Sequence, residues 1–211
     1  MSRIYLASSW KNEYHQALVD TLRSHGHKVY DFKHHDRNAE MNTVGFHWSS
    51  VDKNYKEWTH EDIRKGLQSR KATVGFLRDF HAMQDADTCV LLLPCGRSAH
   101  AEAGWFTGKG KRVIVFDLEE KPTPELMYLM FDHYCINEAE LLKVLAEPVP
   151  GVCQVCGCTE DNPCYHPSYG YCWWVEPSLC SHCAEVINGS AGIKDDPKTV
   201  HCVNDESHEL L

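Results

Sequence analysis

Apolar residues in the first 150 positions alternate between short runs that favour strands and longer stretches with helical spacing. Val90 to Leu93 are continuously apolar and end at Pro94, which is typical of a strand buried on both faces of a parallel sheet. The predicted strands are Arg3 to Ala7, Lys28 to Phe32, Asp87 to Leu93, Arg112 to Phe116 and His133 to Ile136. The predicted helices are Lys11 to Ser24, Glu61 to Leu67 after the cap Thr59, Thr73 to Met83, one capped by Ser98 that ends at Gly108, one that starts at Thr123-Pro124, and Asn137 to Leu145.

This alternation predicts an α/β domain over residues 1–147, with a five-stranded parallel sheet of the flavodoxin-like (Rossmann-like) kind and helices on both faces. Residues 33–58 interrupt the rhythm with a long polar and aromatic insertion. We interpret it as a lid or wall over a planar ligand, with His47 and Trp48 as candidate contacts. A surface excursion that packs its own aromatic cluster is the alternative.

The Pro148 to Gly151 segment reads as a linker and predicts a second module over residues 148–211. The formal net charge of the chain is -9, and residues 151–211 contain two basic and nine acidic side chains. So acidic a tail argues against a nucleic-acid partner. No apolar run approaches the roughly 20 residues that a membrane span needs, and Met1 to Arg3 lead directly into a strand. We therefore expect a cytoplasmic protein with no membrane partner.

The chain has 11 cysteines, and seven of them lie between positions 153 and 183. Two Cys-x-x-Cys pairs predict one structural zinc ion bound by four thiolates, namely Cys153, Cys156, Cys180 and Cys183. The less certain ligands are Cys158, Cys164 and Cys172. These three could form a second site with His166 or Cys202, replace one of the four, belong to an iron–sulfur cluster, or be buried free thiols.

Glu102 is the candidate catalytic residue that the pattern itself indicates. It lies about one turn inside a helix that follows a buried strand, and ligands of open α/β sheets bind at the carboxyl ends of the strands. The unpaired N–H groups of such a helix N-terminus also favour an anion. The plainer interpretation is an acid placed in the first turns by the helix dipole.

Three blocks, IYLASSW, LRDFHAMQDADTCVLLLP and GRSAHAEAGWFTGKGKRVIVF, resemble the nucleoside 2-deoxyribosyltransferases and their relatives that hydrolyse nucleoside 5′-monophosphates. The resemblance covers roughly residues 3–145. It implies that Glu102 attacks the anomeric carbon, that Asp79 helps to protonate the departing base, and that Tyr5 positions or tunes Glu102. Glycoside cleavage needs such a pair of carboxyl groups.

The resemblance also places the 5′ end of the substrate at Gly96 and Ser98, where Arg97 would add a cation for a phosphate. The deoxyribosyltransferases carry acidic or amide groups near the 5′-hydroxyl, and the GRSAH segment has none, so a nucleotide is favoured over a nucleoside. Ser8 and Ser9 are candidates to contact sugar or phosphate, or else a structural cap for the next helix.

Relatives in this family look like homodimers that share active-site residues, and phage-encoded members look similar in the insertion and the tail. We therefore expect a small-molecule substrate, at least a dimer, a phage source and no organic cofactor. Two alternatives remain: an NAD or cyclic-ADP-ribose glycohydrolase of the TIR type, which also uses a glutamate, and a nucleotide-binding protein without activity.

Overall fold

The computed structural model describes residues 1–34, 45–167 and 169–187, and divides the chain into two compact units between Leu145 and Ala146. The strands of the first unit are β1 (Arg3–Ala7), β2 (Lys28–Tyr30), β3 (Thr88–Leu92), β4 (Arg112–Phe116) and β5 (His133–Cys135). The α-helices that start in this unit are α1 (His15–Ser24), α2 (His60–Leu67), α3 (Arg70–Asp85), α4 (Arg97–Gly108) and α5 (Glu138–Ala146). Short 3-10 helices cover Trp48–Ser50, Tyr55–Glu57 and Leu126–Met130.

All five strands are parallel and lie in the order β2-β1-β3-β4-β5, which confirms the predicted flavodoxin-like sheet. Its two faces carry separate hydrophobic clusters. One face packs on α1 and α5 through residues such as Leu22 and Leu141, and the other packs on α3 and α4 through residues such as Met83 and Phe106. Alternate residues of each strand therefore serve opposite faces, and Tyr5 of β1 points to the α3 and α4 side.

Local sequence explains the helix that carries Asp79. Ser69 caps its start by accepting a hydrogen bond from the Ala72 amide at 3.2 Å. At its other end the Lys111 ammonium donates to the carbonyls of Gln84 and Ala86, both at 2.6 Å. Lys111 directly precedes β4, so these contacts tie the end of α3 to the start of that strand.

Several predicted helix starts differ from the structure. The helix predicted from Lys11 begins at His15, and the helix predicted from Thr73 begins at Arg70. Ser98 is not the cap of α4: the helix begins at Arg97, and the extended residue before it, Gly96, is the N-cap. No α-helix begins at Thr123-Pro124, because residues 122–125 are irregular and only a 3-10 turn follows from Leu126. The Glu125 carboxylate sets that start by accepting the Met127 amide at 3.0 Å.

Up to residue 187, the described part of the second unit holds two short antiparallel strand pairs and one helix: β6 (Tyr165–His166), β7 (Gly170–Tyr171), β8 (Trp174–Glu176), β9 (Leu179–Cys180) and α6 (Ser181–Ile187). Its core is a cluster rich in buried cysteines. The candidate ligand Cys202 lies outside the described residues, as does part of the predicted insertion, residues 35–44. Within the described ranges, no helix combines the length and apolar character that a membrane span requires.

Candidate active site

Glu102 lies in the middle of α4, on the helix that leaves the carboxyl end of β3, and its side chain is half-buried. The pKa of this carboxyl is raised from 4.5 to about 7, mainly by burial and secondly by the negative charge of Asp79. A hydrogen bond with Tyr5 acts in the opposite direction. Glu102 can therefore lose or gain a proton close to neutral pH.

Two tyrosines of the sheet contact the carboxyl groups, Tyr5 at Glu102 and Tyr30 at Asp79. Tyr5 and Tyr30 are register partners on the adjacent strands β1 and β2, and their rings stack with centroids 5.4 Å apart. Burial raises the pKa of both phenols well above the ordinary value of 10, and the nearby carboxylates add to this. Both hydroxyls thus keep their protons and act as donors.

Asp79 lies on α3 and is half-buried. The Tyr30 hydroxyl donates a hydrogen bond to its Oδ1 at 2.7 Å. Burial raises the pKa of Asp79, whereas the Tyr30 hydrogen bond and the charge of Arg78 lower it in part. Tyr30 did not emerge from the sequence, although its place opposite Tyr5 in a neighbouring strand could have indicated it.

Tyr5, Asp79 and Glu102, which the sequence suggested as a catalytic group, therefore come together at one place on the sheet. The charge of Asp79 raises the pKa of Glu102, and the charges of both carboxylates raise the pKa of Tyr5. Two carboxyl groups that share a small, partly buried space do not ionise independently. Such a pair can supply one ionised and one protonated carboxyl near neutral pH.

The turn that starts α4 lies next to this group. Gly96 is extended, and Gly96, Arg97 and Ser98 are all exposed. The first amides of a helix have no partner within the helix, so this turn offers N–H groups, a hydroxyl and a guanidinium to a bound anion. Behind it, His100 stacks on Tyr128, and their polar atoms are 3.1 Å apart.

Ser8 and Ser9 follow β1 and have different surroundings. The Ser9 hydroxyl accepts the Lys11 amide at 3.2 Å, which is a structural turn contact. The Ser8 oxygen lies 2.6 Å from Nδ1 of His15, whose Nε2 lies 2.9 Å from Oδ1 of Asp31. The side chains of His15 and Asp31 are fully buried.

This Ser8-His15-Asp31 chain could not be read from the sequence, because it links three separate elements. Burial alone would raise the pKa of Asp31, but hydrogen bonds from His15 and from the Lys33 amide outweigh burial and lower it. Asp31 is therefore an ionised acceptor for His15. Ser8 is half-buried at the carboxyl end of β1, so the chain leads from the interior to the ligand-binding edge of the sheet.

The described part of the aromatic insertion places His47 and Trp48 in a ring cluster. His47 lies against Tyr55 with centroids 5.4 Å apart, and Trp48 lies against Phe46 and Trp58 at 4.9 and 5.6 Å. His47 also caps the following 3-10 helix by accepting the Ser49 amide. Both residues thus have structural partners within the insertion.

A groove of about 460 Å³ runs between this cluster and α3. Its lining residues are Phe46, Ser50, Arg70, Lys71, Val74, Gly75 and Arg78. Three of them are basic, and Arg78 directly precedes Asp79 in the chain. Of these three, Arg78 acts on the carboxyl pair, because its charge lowers the pKa of Asp79.

The cysteines of the second unit converge on groups that could hold a metal ion. One group comprises Cys153, Cys156, Cys158 and Cys180, and the other comprises Cys158, Cys164, Cys172 and Cys180. In each group the sulfur atoms lie within 4.8 Å of one another. Cys183, which the spacing proposed as a ligand, is buried and its thiol contacts Cys156 and Cys180, but it belongs to neither four-cysteine group. His182 is also buried, and neither of its ring nitrogens has a hydrogen-bond partner among the described residues.

No protein-family model and no curated protein matches the chain. Among solved structures, a 2-deoxyribosyltransferase from Bacillus psychrosaccharolyticus is similar, with 18% identity over 65% of this chain and 88% of that chain and a TM-score of 0.42. A CMP N-glycosidase from Clostridium botulinum is similar at 17% identity over 68% of this chain and 98% of that chain, with a TM-score of 0.37. Similarities this distant leave the activity to be inferred from the side chains of the site.

Proposed function

We propose that the first unit cleaves the N-glycosidic bond of a nucleoside 5′-monophosphate or nucleoside, with a 2′-deoxyribosyl substrate favoured by the sequence resemblance. The observation that carries the proposal is the coupled pair Glu102 and Asp79, each with its own tyrosine. The pair lies at the ligand-binding edge of a parallel sheet, which suits a small-molecule substrate.

Glu102 acts as the nucleophile. Its ionised carboxylate attacks the anomeric carbon as the bond to the base nitrogen breaks, and the electron pair of that bond leaves with the base. The developing positive charge on the sugar is stabilised by the same carboxylate. With a pKa of about 7, a substantial fraction of Glu102 is ionised at neutral pH.

Asp79 acts as the proton donor for the departing base. The reactive form is the one in which the pair holds a single proton and that proton lies on Asp79. Burial raises the pKa of Asp79, which makes it easier for the shared proton to lie on Asp79 than it would be for an exposed aspartate. The Tyr30 hydrogen bond, at 2.7 Å, fixes the direction in which the carboxyl points.

Water or a second base then attacks the sugar ester on Glu102, which releases the sugar or transfers it. Two successive displacements at one carbon retain its configuration. Asp79, which has given its proton to the leaving base, serves as the general base in this second step.

The 5′ end of the substrate would lie at the α4 turn, where Arg97, Ser98 and free amides form an anion site. Ser8 would contact a sugar hydroxyl rather than a phosphate. With Asp31 ionised, we assign the His15 proton to Nε2, so that Nδ1 accepts the proton of Ser8. The Ser8 oxygen then presents only lone pairs to the ligand, and these suit a hydroxyl donor.

The test is to incubate the full chain with each common nucleoside and its 5′-monophosphate, in the ribo and deoxy series, and to measure free base by chromatography. Each reaction is repeated with a second base as acceptor, which separates hydrolysis from transfer. We expect base release from a monophosphate in the deoxy series. NAD is tested in parallel. If NAD is cleaved and none of the nucleosides or monophosphates is, the proposal is refuted in favour of a glycohydrolase. Tight nucleotide binding without any product would refute it in favour of a binding protein.

A further inference from the structure

The two four-cysteine groups of the second unit share Cys158 and Cys180. Two sets of four ligands with two members in common contain six cysteines. Two tetrahedra that share one edge also have six corners in total. A zinc ion surrounded by four thiolates is tetrahedral, and each zinc–sulfur distance is about 2.3 Å. Two ions can therefore share two sulfur atoms without any ligand beyond these six.

The measured sulfur separations agree with tetrahedral edges. Bonds of about 2.3 Å place neighbouring sulfur atoms about 3.8 Å apart. Cys156 and Cys180, both in the first group, are 3.8 Å apart, and Cys158 and Cys172, both in the second, are 3.7 Å apart. Cys156 and Cys164 belong to different groups and are only 3.1 Å apart, so these two thiols must separate when the ions bind.

The composition of the core is a second and independent argument for metal. The buried residues of this cluster are Cys153, Cys158, Cys164, Leu179, Cys180, Cys183 and Ala184. Among the described residues, Leu179 and Ala184 are the only buried members of the cluster that are not cysteine, and Trp174 packs against it while partly buried. So little aliphatic surface cannot hold a small unit together, whereas metal binding to thiolates contributes directly to folding.

We propose that the second unit binds a two-zinc cluster with six thiolate ligands, in which Cys158 and Cys180 bridge both ions. Cys153 and Cys156 complete one tetrahedron, and Cys164 and Cys172 complete the other. An iron–sulfur cubane fits less well, because its metal and sulfide ions keep the cysteine sulfurs farther apart than these are. The cluster replaces the single ion that the Cys-x-x-Cys spacing alone indicates.

The experiment measures bound zinc, iron and sulfide per chain on the purified full-length protein by elemental analysis and colorimetric assay. We expect two zinc ions per chain and no iron or sulfide. One zinc ion, no metal, or stoichiometric iron with sulfide would each overturn the proposal. This result does not depend on the folding of any variant.

Two variants then separate the two-ion cluster from a single ion held by the four Cys-x-x-Cys thiolates. Cys172→Ser should lose at least one of two ions, whereas the matched variant Cys183→Ser should keep both. A single-ion site predicts the reverse, since Cys183 would be a ligand and Cys172 would not. Retention of full zinc by Cys172→Ser would contradict the assignment. Cobalt substitution gives a second readout, because the intensity of its absorption bands distinguishes tetrahedral thiolate sites from other geometries.

Discussion

Replacement of Glu102 by glutamine should make the first unit more stable at neutral and alkaline pH. The pKa of this carboxyl is raised from 4.5 to about 7, first by burial and then by the charge of Asp79. A group with a higher pKa in the folded state binds its proton more tightly there than in the unfolded chain. Stability is therefore greatest below 4.5 and is lost as the pH rises through the interval up to about 7.

The size of the effect follows from that interval of about 2.5 pH units. At 1.36 kcal/mol for each unit, ionised Glu102 lowers the free energy of unfolding by about 3 kcal/mol at pH 8, and by only about 1 kcal/mol at pH 5. Glutamine has the shape of the protonated acid and cannot ionise. Glu102→Gln should therefore gain about 3 kcal/mol at pH 8 and much less at pH 5.

Urea unfolding followed by far-UV circular dichroism at a series of pH values between 5 and 8 measures this difference. Glu120→Gln is the matched control, because Glu120 is exposed and its replacement should change stability by less than about 0.5 kcal/mol. The reasoning is refuted if Glu102→Gln is no more stable than the wild type at pH 8, or if its gain is the same at pH 5.

Three further predictions concern other parts of the first unit. Tyr5→Phe removes a hydrogen bond that lowers the pKa of the nucleophile, so the acidic limb of the pH–rate profile should move up by about one pH unit; an unmoved limb would count against this role. Asp31→Ala leaves the fully buried His15 without its acceptor and should lower the free energy of unfolding at pH 7 by about 1–3 kcal/mol in urea titrations, whereas a loss below about 0.5 kcal/mol would show that the contact matters little. Gly75→Ala places a Cβ atom 2.6 Å from Phe46 and should destabilise by about 1–3 kcal/mol, while the control Gly104→Ala meets no atom within 4 Å and should be neutral or stabilising in the same assay; equal effects would contradict the packing argument.

The sheet was predictable because its central strands are short, continuously apolar and separated by stretches with helical spacing. β1 and β4 have the predicted bounds, since nothing in their sequence competes with a buried strand. The start of the predicted helix at Thr123-Pro124 failed, because the residues there stay irregular and Glu125 starts a 3-10 turn instead. The helix-capping preference of Thr123 and Pro124 does not show which side chain accepts the first free amide of the turn, here Glu125.

The site was predictable only in part, and for a different reason. The sequence blocks suggested Glu102 and Asp79 as candidates, but their protonation depends on contacts between distant elements. Tyr30 lies 49 residues before its partner Asp79, and the two meet only because β2 lies beside β1. Ser8 reaches Asp31 through His15 for the same reason. To predict such contacts, one must know which strands are neighbours and in what register they pair. A single sequence does not provide this information.

The central claim is that Glu102 is the nucleophile that cleaves a glycosidic bond, and one measurement tests it most directly. Initial rates of base release are compared for the wild type and Glu102→Gln, at saturating concentration of the best substrate, with the fold of the variant verified by circular dichroism. We predict a loss of at least about a thousandfold in the variant, because an amide cannot form the sugar ester. Base release at a rate close to that of the wild type would contradict the account.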